Sequence, residues 1–138
     1  MVAFLHRSLV RPLLSVCLAL VLSFSLTACS SASNLSGNYV DDTVSVATSL
    51  LSTITIAQDD PGRQEAEGQA SILIKDYVAR YRPRRDVHGL GSFTTMQTAL
   101  NSLAAYYSAY ANRPLPDALR ARLEKELKMA ESGAMRGA

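Results

Sequence analysis

Cysteine, histidine and tryptophan are scarce in this 138-residue chain, which has two cysteines, two histidines and no tryptophan. Cys17, Cys29 and His6 all lie near the N-terminus. We interpret residues 1–28 as a segment that is removed, which leaves Cys29 and His88 as the only residues of their types. This shortage argues against a disulfide framework, a structural zinc site and a covalently attached haem. The fold is therefore expected to depend on packing alone.

The N-terminal segment has the features of an export signal. Arg7 and Arg11 supply positive charge without an acidic residue, and an apolar run follows from residue 13 to residue 26. At ~1.5 Å rise per residue, this run is too short to cross a hydrocarbon core of ~30 Å comfortably. Cys29 directly follows two small residues in the string LTAC, which is the pattern of a lipobox. The pattern predicts that Cys29 carries an S-diacylglycerol group and an N-acyl chain after cleavage.

Several acyl chains on one residue anchor a protein far more firmly than a single short chain does. The spacer after the cysteine is polar, rich in small residues and without periodicity, so we predict a flexible tether over residues 29–37. Residues 38–138 are then long enough for one domain with one core. Two of the 14 basic residues lie in the signal, which leaves 12 against 12 acidic residues. A neutral domain lacks the positive field that nucleic-acid binding requires.

Apolar residues that recur every three and four positions predict four helices. The first is expected over Tyr39–Ala57 with Asn38 as its N-cap; its β-branched residues make a strand conceivable, but its length favours a helix. The second is expected over Pro61–Arg82, with Asp60 as cap and proline at the first position. Gly68 inside it indicates either a bend or a closely packed neighbour. The expected core positions of the first helix are Val40, Val44, Ala47, Leu51 and Ile54.

The third helix is expected to start at Ser92 as cap and to close at Asn112. The fourth carries Leu119, Leu123 and Leu127 on one face and continues to about residue 130, after which residues 132–138 are expected to fray. Four amphipathic helices joined by short or moderate connections predict an all-α, up-down-up-down four-helix bundle. We expect it to be a monomer.

Residue patterns typical of catalysis are missing from the sequence. It has no Glu-x-x-His pair, no phosphate-binding glycine loop, no Gly-x-Ser-x-Gly elbow and no histidine-based nucleophile pair. We therefore predict that the protein is not an enzyme and holds neither a metal nor a cofactor. The acidic residues Asp41, Asp42, Asp59 and Asp60 lie near opposite ends of the first helix, where capping and first-turn charge explain them better than a calcium or manganese site.

A basic cluster and a pair of tyrosines are the candidates for a contact surface. The cluster lies at the end of the second helix and in the following loop, and consists of Arg80, Arg82, Arg84 and Arg85. It either complements the helix dipole or docks an acidic protein surface or anionic lipid heads. Tyr106 and Tyr107 are adjacent and cannot both face the core, so we predict Tyr106 as a further partner-binding residue.

Several stretches, in order and at matching spacing, resemble one known family. They are GNY at residues 37–39, QDDP at 58–61, DYVARYR at 76–82, SFTTMQTALN at 92–101 and RPLP at 113–116. The resembling family is the small lumenal photosystem II assembly and repair lipoprotein of cyanobacteria.

The resemblance implies a bundle that is tethered through Cys29 to the lumenal face of the thylakoid membrane. It implies transient binding to photosystem II intermediates that lack the manganese cluster, through the lumenal loop of the inner-antenna chlorophyll protein of forty-three kilodaltons. It also implies a role without catalysis. The alternatives are a structural envelope lipoprotein with no photosynthetic partner and a bundle that holds a small ligand in its core.

Overall fold

The computed structural model describes residues 34–138, and these residues form four α-helices without a strand. The helices are α1 (Tyr39–Ile54), α2 (Arg63–Tyr81), α3 (Gly91–Ala109) and α4 (Asp117–Arg136). The start of α1 lies beside the end of α2, and the start of α3 lies beside the end of α4, so consecutive helices run in opposite directions. The predicted all-α, up-down-up-down four-helix bundle is confirmed. The predicted signal and Cys29 lie outside the described residues.

Helix α4 is the centre of the packing. It contacts both α1 and α3 along its length, whereas α2 and α3 share a narrower contact. Leu123 and Leu127 of α4 are fully buried, as their spacing predicts, whereas Leu119, the first residue of the predicted face, is only partly buried. Ala130 is also fully buried. The core is one continuous cluster to which all four helices contribute.

The N-terminus of α1 is capped as predicted, but its buried face is rotated from the expected one. The Asn38 side chain accepts hydrogen bonds from the amides of Val40 and Asp41, at 2.9 and 3.3 Å. The helix ends at Ile54, three residues earlier than expected. Val40, Val44 and Leu51 are only half-buried. The buried residues are Tyr39, Asp42, Thr43, Val46, Ala47, Leu50 and Ile54. This face includes polar residues whose groups are hydrogen-bonded, which a hydrophobic pattern does not count.

Helix α2 begins two residues later than predicted. Asp60 does not cap it; its Oδ1 atom accepts a hydrogen bond from the Gly62 amide at 2.7 Å. This contact closes a local turn that contains Pro61, and the helix begins at Arg63. An aspartate before a proline is compatible with both arrangements, because the same side chain can cap a helix or close a turn.

Gly68 lies on the exposed side of α2, and a Cβ atom at this position would meet nothing within 4 Å. Of the two explanations given for Gly68, a bend or a closely packed neighbour, the closely packed neighbour is therefore wrong. We predict that Gly68→Ala raises the free energy of unfolding by about 0.5–1 kcal/mol, because alanine loses less backbone entropy in a helix. Urea denaturation measures this. Gly37→Ala is the contrasting control. Gly37 has a φ of +88°, a backbone conformation that is strained for residues with a side chain, so this variant should be less stable than the unmodified protein. A destabilised Gly68→Ala protein would contradict the prediction.

The C-terminal end is folded, in contrast to the expected fraying from residue 132. Gly133 and Ala134 are buried and α4 continues to Arg136. A Cβ atom at Gly133 would come within 3.1 Å of the Cβ atom of Ser92, so the absence of a side chain lets α4 approach α3 closely. Ser92 is not a cap, since α3 begins one residue before it and Leu90 occupies the N-cap position. Its amide donates instead to the carbonyl of Ala138 at 3.1 Å.

None of the helices within residues 34–138 combines the length and the apolar character that a membrane span would need.

Candidate functional site

All four helices have one terminus at the same end of the bundle, which we call the arginine end because the predicted basic cluster lies there. The Tyr39 and Tyr81 rings, from the start of α1 and the end of α2, meet edge to face with centroids 5.5 Å apart. The hydroxyl of Tyr39 lies 2.8 Å from that of Ser92 at the start of α3. Ser92 in turn contacts the chain end beyond α4. This end therefore joins every helix through specific contacts.

Asp42 is the central polar group of the arginine end and is only 2% exposed. Its Oδ1 atom accepts hydrogen bonds from the amide and hydroxyl of Ser36 at 2.6 and 2.8 Å. Its Oδ2 atom accepts from the Gly37 amide at 3.0 Å and from the Tyr81 hydroxyl at 2.6 Å. Burial opposes ionisation of the carboxyl group, but these donors outweigh it and hold the pKa of Asp42 below its ordinary value of 3.8. The carboxylate is therefore charged and fully engaged inside the bundle.

The hydrogen bonds of Asp42 fold the segment before α1 onto the bundle. Leu35 is buried in the core, and Ser36 and Gly37 are held by the carboxylate. The Gly37 carbonyl also accepts a hydrogen bond from Nη1 of Arg84 at 3.0 Å. Residues 35–37, which were predicted to belong to the flexible tether, are thus part of the folded domain. Sequence reasoning assigned Asp42 to dipole stabilisation alone and missed this role.

A second series of hydrogen bonds links α1 to α2 close to Asp42. The Thr43 hydroxyl donates to the carbonyl of Tyr39 at 2.6 Å and accepts from the hydroxyl of Tyr77, 2.7 Å away. Burial raises the pKa of Tyr77, and burial together with the hydrogen bond to Asp42 raises the pKa of Tyr81. Both phenols are therefore neutral structural hydrogen-bonding groups at physiological pH.

The structure brings the four predicted arginines together at the arginine end, but it gives them different surroundings. Arg84 is half-buried: it forms a two-point ion pair with Asp86, at 2.5 and 3.2 Å, and its guanidinium lies 5.2 Å from the Tyr81 ring centroid. The other three are exposed, and none forms an ion pair with another described residue. We call Arg80, Arg82 and Arg85 the arginine surface. Partner binding by these three residues and by Arg84 stays a prediction.

Tyr106 lies far from the arginine surface. It follows Ser92 by fourteen residues along α3, which corresponds to about 21 Å. Its hydroxyl donates to the carbonyl of Pro114 at 2.9 Å, and its ring packs 5.1 Å from that of Tyr110. Tyr106 and Tyr107 are both half-buried, while Tyr110 is 49% exposed. The predicted site residues therefore do not form one surface, and Tyr110 is the more accessible aromatic residue at that end.

No group of three His, Cys, Asp or Glu side chains within residues 34–138 is arranged to hold a metal ion. The acidic residues near the two ends of α1 remain apart, and Asp42 is already saturated by hydrogen bonds. His88 stacks on Phe93 with ring centroids 5.4 Å apart, and its Nε2 atom lies 2.8 Å from the Arg82 carbonyl. The imidazole is thus fixed against the loop that carries the arginines.

Comparison with known proteins shows which family this chain resembles. A family model described as Photosystem II Pbs27 matches residues 7–133. The photosystem II lipoprotein Psb27 of Synechocystis sp. is 48% identical over 98% of this chain and 98% of its own length. The photosystem II assembly factor lipoprotein Psb27 of Thermosynechococcus vestitus is 44% identical over 83% of this chain and 86% of its own length.

A solved structure agrees with the fold. The solution structure of Psb27 from cyanobacterial photosystem II has a TM-score of 0.75 and 48% sequence identity, over 83% of this chain and 99% of that one. Because the family model and a highly similar relative both span nearly the whole chain, the predicted family is confirmed. The chain belongs to the family described as Photosystem II Pbs27.

Proposed function

We propose that this protein is a non-catalytic assembly and repair factor of photosystem II. It binds transiently, on the lumenal side of the thylakoid membrane, to intermediates that lack the manganese cluster, through the lumenal loop of the inner-antenna chlorophyll protein. The observation that carries the proposal is the similarity over nearly the full length to the relative named photosystem II lipoprotein Psb27. The Thermosynechococcus relative, named as an assembly factor, supports the same role.

The chemistry of the buried polar groups favours binding over catalysis. General acid–base catalysis is most efficient when the pKa of the catalytic group lies near the working pH. Here, hydrogen bonds lower the pKa of Asp42 despite its burial, and burial raises the pKa of Tyr77 and Tyr81. The pKa values of all three groups are shifted away from neutral pH, and their polar atoms form hydrogen bonds within the bundle. These groups stabilise the fold, so we assign the function of the protein to binding through its surface.

Anchoring through Cys29 would hold the arginine end of the bundle close to the membrane. Five peptide steps separate Cys29 from Asn34, the first described residue, and this length of extended chain spans at most about 17 Å. The described chain begins at the arginine end, because residues 35–37 are fixed there by Asp42. With Cys29 acylated, the arginine end stays near the lipid surface, where a membrane-embedded photosystem carries its lumenal loops.

The arginine surface is the part of this end that suits an acidic partner loop. Exposed guanidinium groups bind carboxylates in pairs of hydrogen bonds, and positive charge accelerates the encounter with a negative surface. Arg80, Arg82 and Arg85 are exposed and have no ion-pair partner among the described residues. Arg84 stays a predicted partner-binding residue, but we expect it to contribute less than the other three, because Asp86 compensates its charge and the Gly37 carbonyl accepts one of its hydrogen bonds.

We predict that reversing two charges of the arginine surface weakens the association at least tenfold. The variant is Arg80→Glu combined with Arg85→Glu, in the lipidated chain, and the measurement is co-purification with manganese-free photosystem II intermediates at several salt concentrations. The matched control is Lys125→Glu combined with Lys128→Glu, which makes the same change of charge at exposed positions of α4. We expect the control to associate like the unmodified protein.

Two results would contradict the proposal at different levels. Full association of the arginine variant would remove the arginine surface from the interface. Failure of the unmodified protein to associate, with recovery only in peptidoglycan or outer-membrane fractions, would favour the structural envelope lipoprotein instead.

A further inference from the structure

An apolar groove lies on the surface between α2 and α3. It is neither part of the buried core nor part of the arginine surface, apart from Arg82 at its edge. Its main cavity has a volume of about 530 Å³ and lies where these two helices share their narrower contact. Its apolar wall comes from Ile74, Val78, Ala79, Pro83 and Ala104. We call this cavity and its extensions the seam groove.

The seam groove extends beyond the main cavity in both directions. A cavity of about 340 Å³ continues from Arg82 toward His88 at the arginine end. Another, of about 240 Å³, continues from Lys75 and Ala104 toward Tyr107. Because neighbouring cavities share Arg82 or Lys75 as lining residues, the groove follows α2 for much of its length. The seven residue steps from Lys75 to Arg82 alone correspond to about 10 Å of helix.

The charged side chains that line the main cavity all have one sign. Lys75 and Arg82 line the main cavity, and no acidic side chain of the described residues accompanies them. Both are exposed, so their charges are available to a bound molecule. An apolar floor between two cations suits an apolar segment that carries carboxylates, because burial of its side chains and pairing of its charges are satisfied together.

The extension of the groove near Lys75 also contains an unpaired polar group. Tyr107 lines the extension of the groove near Lys75, and its hydroxyl oxygen is buried behind this lining without a hydrogen-bond partner in the described residues. Burial, with a smaller contribution from the negative charge of Glu67, raises its pKa, so the group is a neutral donor. A buried hydroxyl without a partner is unfavourable. Pairing it with a carbonyl or carboxylate of a bound segment would require the Tyr107 side chain to move, because the oxygen itself is not accessible.

We infer that the seam groove is a docking site for an acidic, partly apolar segment of the photosystem protein that this chain binds. The inference rests on the proposed function for the identity of the partner, and it adds a second contact region to the arginine surface. The two regions are continuous, because Arg82 belongs to both. About three residues of extended chain bridge the distance from Lys75 to Arg82, with carboxylates near both cations.

The test uses Ala79→Glu in the lipidated full chain. Ala79 is exposed in the groove, and a glutamate there stands four residues after Lys75 and three before Arg82, within reach of either cation. It lowers the positive charge of the groove by one and covers part of the apolar floor. We expect co-purification with manganese-free photosystem II intermediates to fall at least tenfold, with an unchanged circular dichroism spectrum. Ala121→Glu, an exposed alanine of α4, is the matched control and should bind normally.

A photo-crosslinking amino acid at position 79, compared with the same group at position 121, identifies the occupant directly. Crosslinks from position 79 to a photosystem II protein support the inference. Crosslinks only to lipid overturn it, as does full binding of Ala79→Glu while the unmodified chain also binds; in both cases the proposed function stands. If the unmodified chain itself fails to associate, the proposed function and the docking site both fail.

Discussion

Replacing Asp42 with alanine is expected to lower the free energy of unfolding by about 3 kcal/mol, and the melting temperature by about 15 °C, at neutral pH. The carboxylate accepts four hydrogen bonds, and its removal leaves the amides of Ser36 and Gly37 and the hydroxyl of Tyr81 without their acceptor. Hydrogen bonds to a charged group contribute about 1.5–3 kcal/mol each, and partial access of water to the freed donors reduces the sum. Urea and thermal unfolding measure the change.

The adjacent residue supplies the control. Asp41 is exposed in the same first turn of α1, so Asp41→Ala removes only a favourable interaction with the helix dipole, of about 0.5 kcal/mol. Hydrogen exchange adds a local measurement: the amides of Ser36 and Gly37 should exchange much faster in Asp42→Ala than in Asp41→Ala. Equal stability of the two variants would show that Asp42 does not hold the segment before α1.

The Asp42 carboxylate also makes the free energy of unfolding depend on pH, with a loss of stability at low pH. The folded-state pKa of Asp42 lies below the ordinary value of 3.8, so the unfolded chain takes up the proton first as the pH falls. The stabilisation from Asp42 is therefore complete above the ordinary pKa and is lost as the pH falls through the folded-state pKa. Asp42→Asn lacks this titration. The stability difference between the unmodified protein and Asp42→Asn should consequently narrow below about pH 4.

Truncating Leu127 to alanine is expected to lower the free energy of unfolding by about 3–4 kcal/mol. Leu127 is completely buried on α4, the helix that packs along both α1 and α3. Its loss removes buried apolar area and leaves a cavity between three helices, which none of them can close without disturbing contacts with the others. Denaturant unfolding at constant pH provides the measurement.

Met129 is the matched comparison on the same helix. It is 51% exposed, so Met129→Ala should change the stability by no more than about 0.5 kcal/mol. A loss below 1 kcal/mol for Leu127→Ala would mean that the bundle collapses around the missing side chain and that α4 is not its packing centre.

The sequence was most informative where a local cause determines the structure. The Asn38 cap depends on amides two and three residues away, and the buried leucines of α4 follow a regular four-residue spacing. The arginines at the end of α2 are close in the sequence, so their proximity in space follows directly. These features could be predicted because every residue involved lies within a few positions of its partner.

The features that were missed depend on distant partners. Asp42 looks like an ordinary first-turn aspartate until Tyr81, thirty-nine residues away, donates to it. Residues 132–138 were expected to fray because no local pattern shows that Gly133 packs against Ser92 of α3. The seam groove depends on the separation of α2 and α3, which no pattern within either helix specifies. The rotated face of α1 has the same origin, since buried Asp42 and Thr43 become acceptable only through hydrogen bonds to α2.

The folded segment at residues 35–37 also has a consequence for how the protein would find its partner. With Cys29 acylated as proposed, only a few residues separate the bilayer from a rigid body, so the domain searches by lateral diffusion within a thin layer instead of through the lumenal volume. Confinement of this kind raises the effective concentration of a weak binder toward membrane-embedded partners. Modest, readily reversible contacts are then sufficient for occupancy.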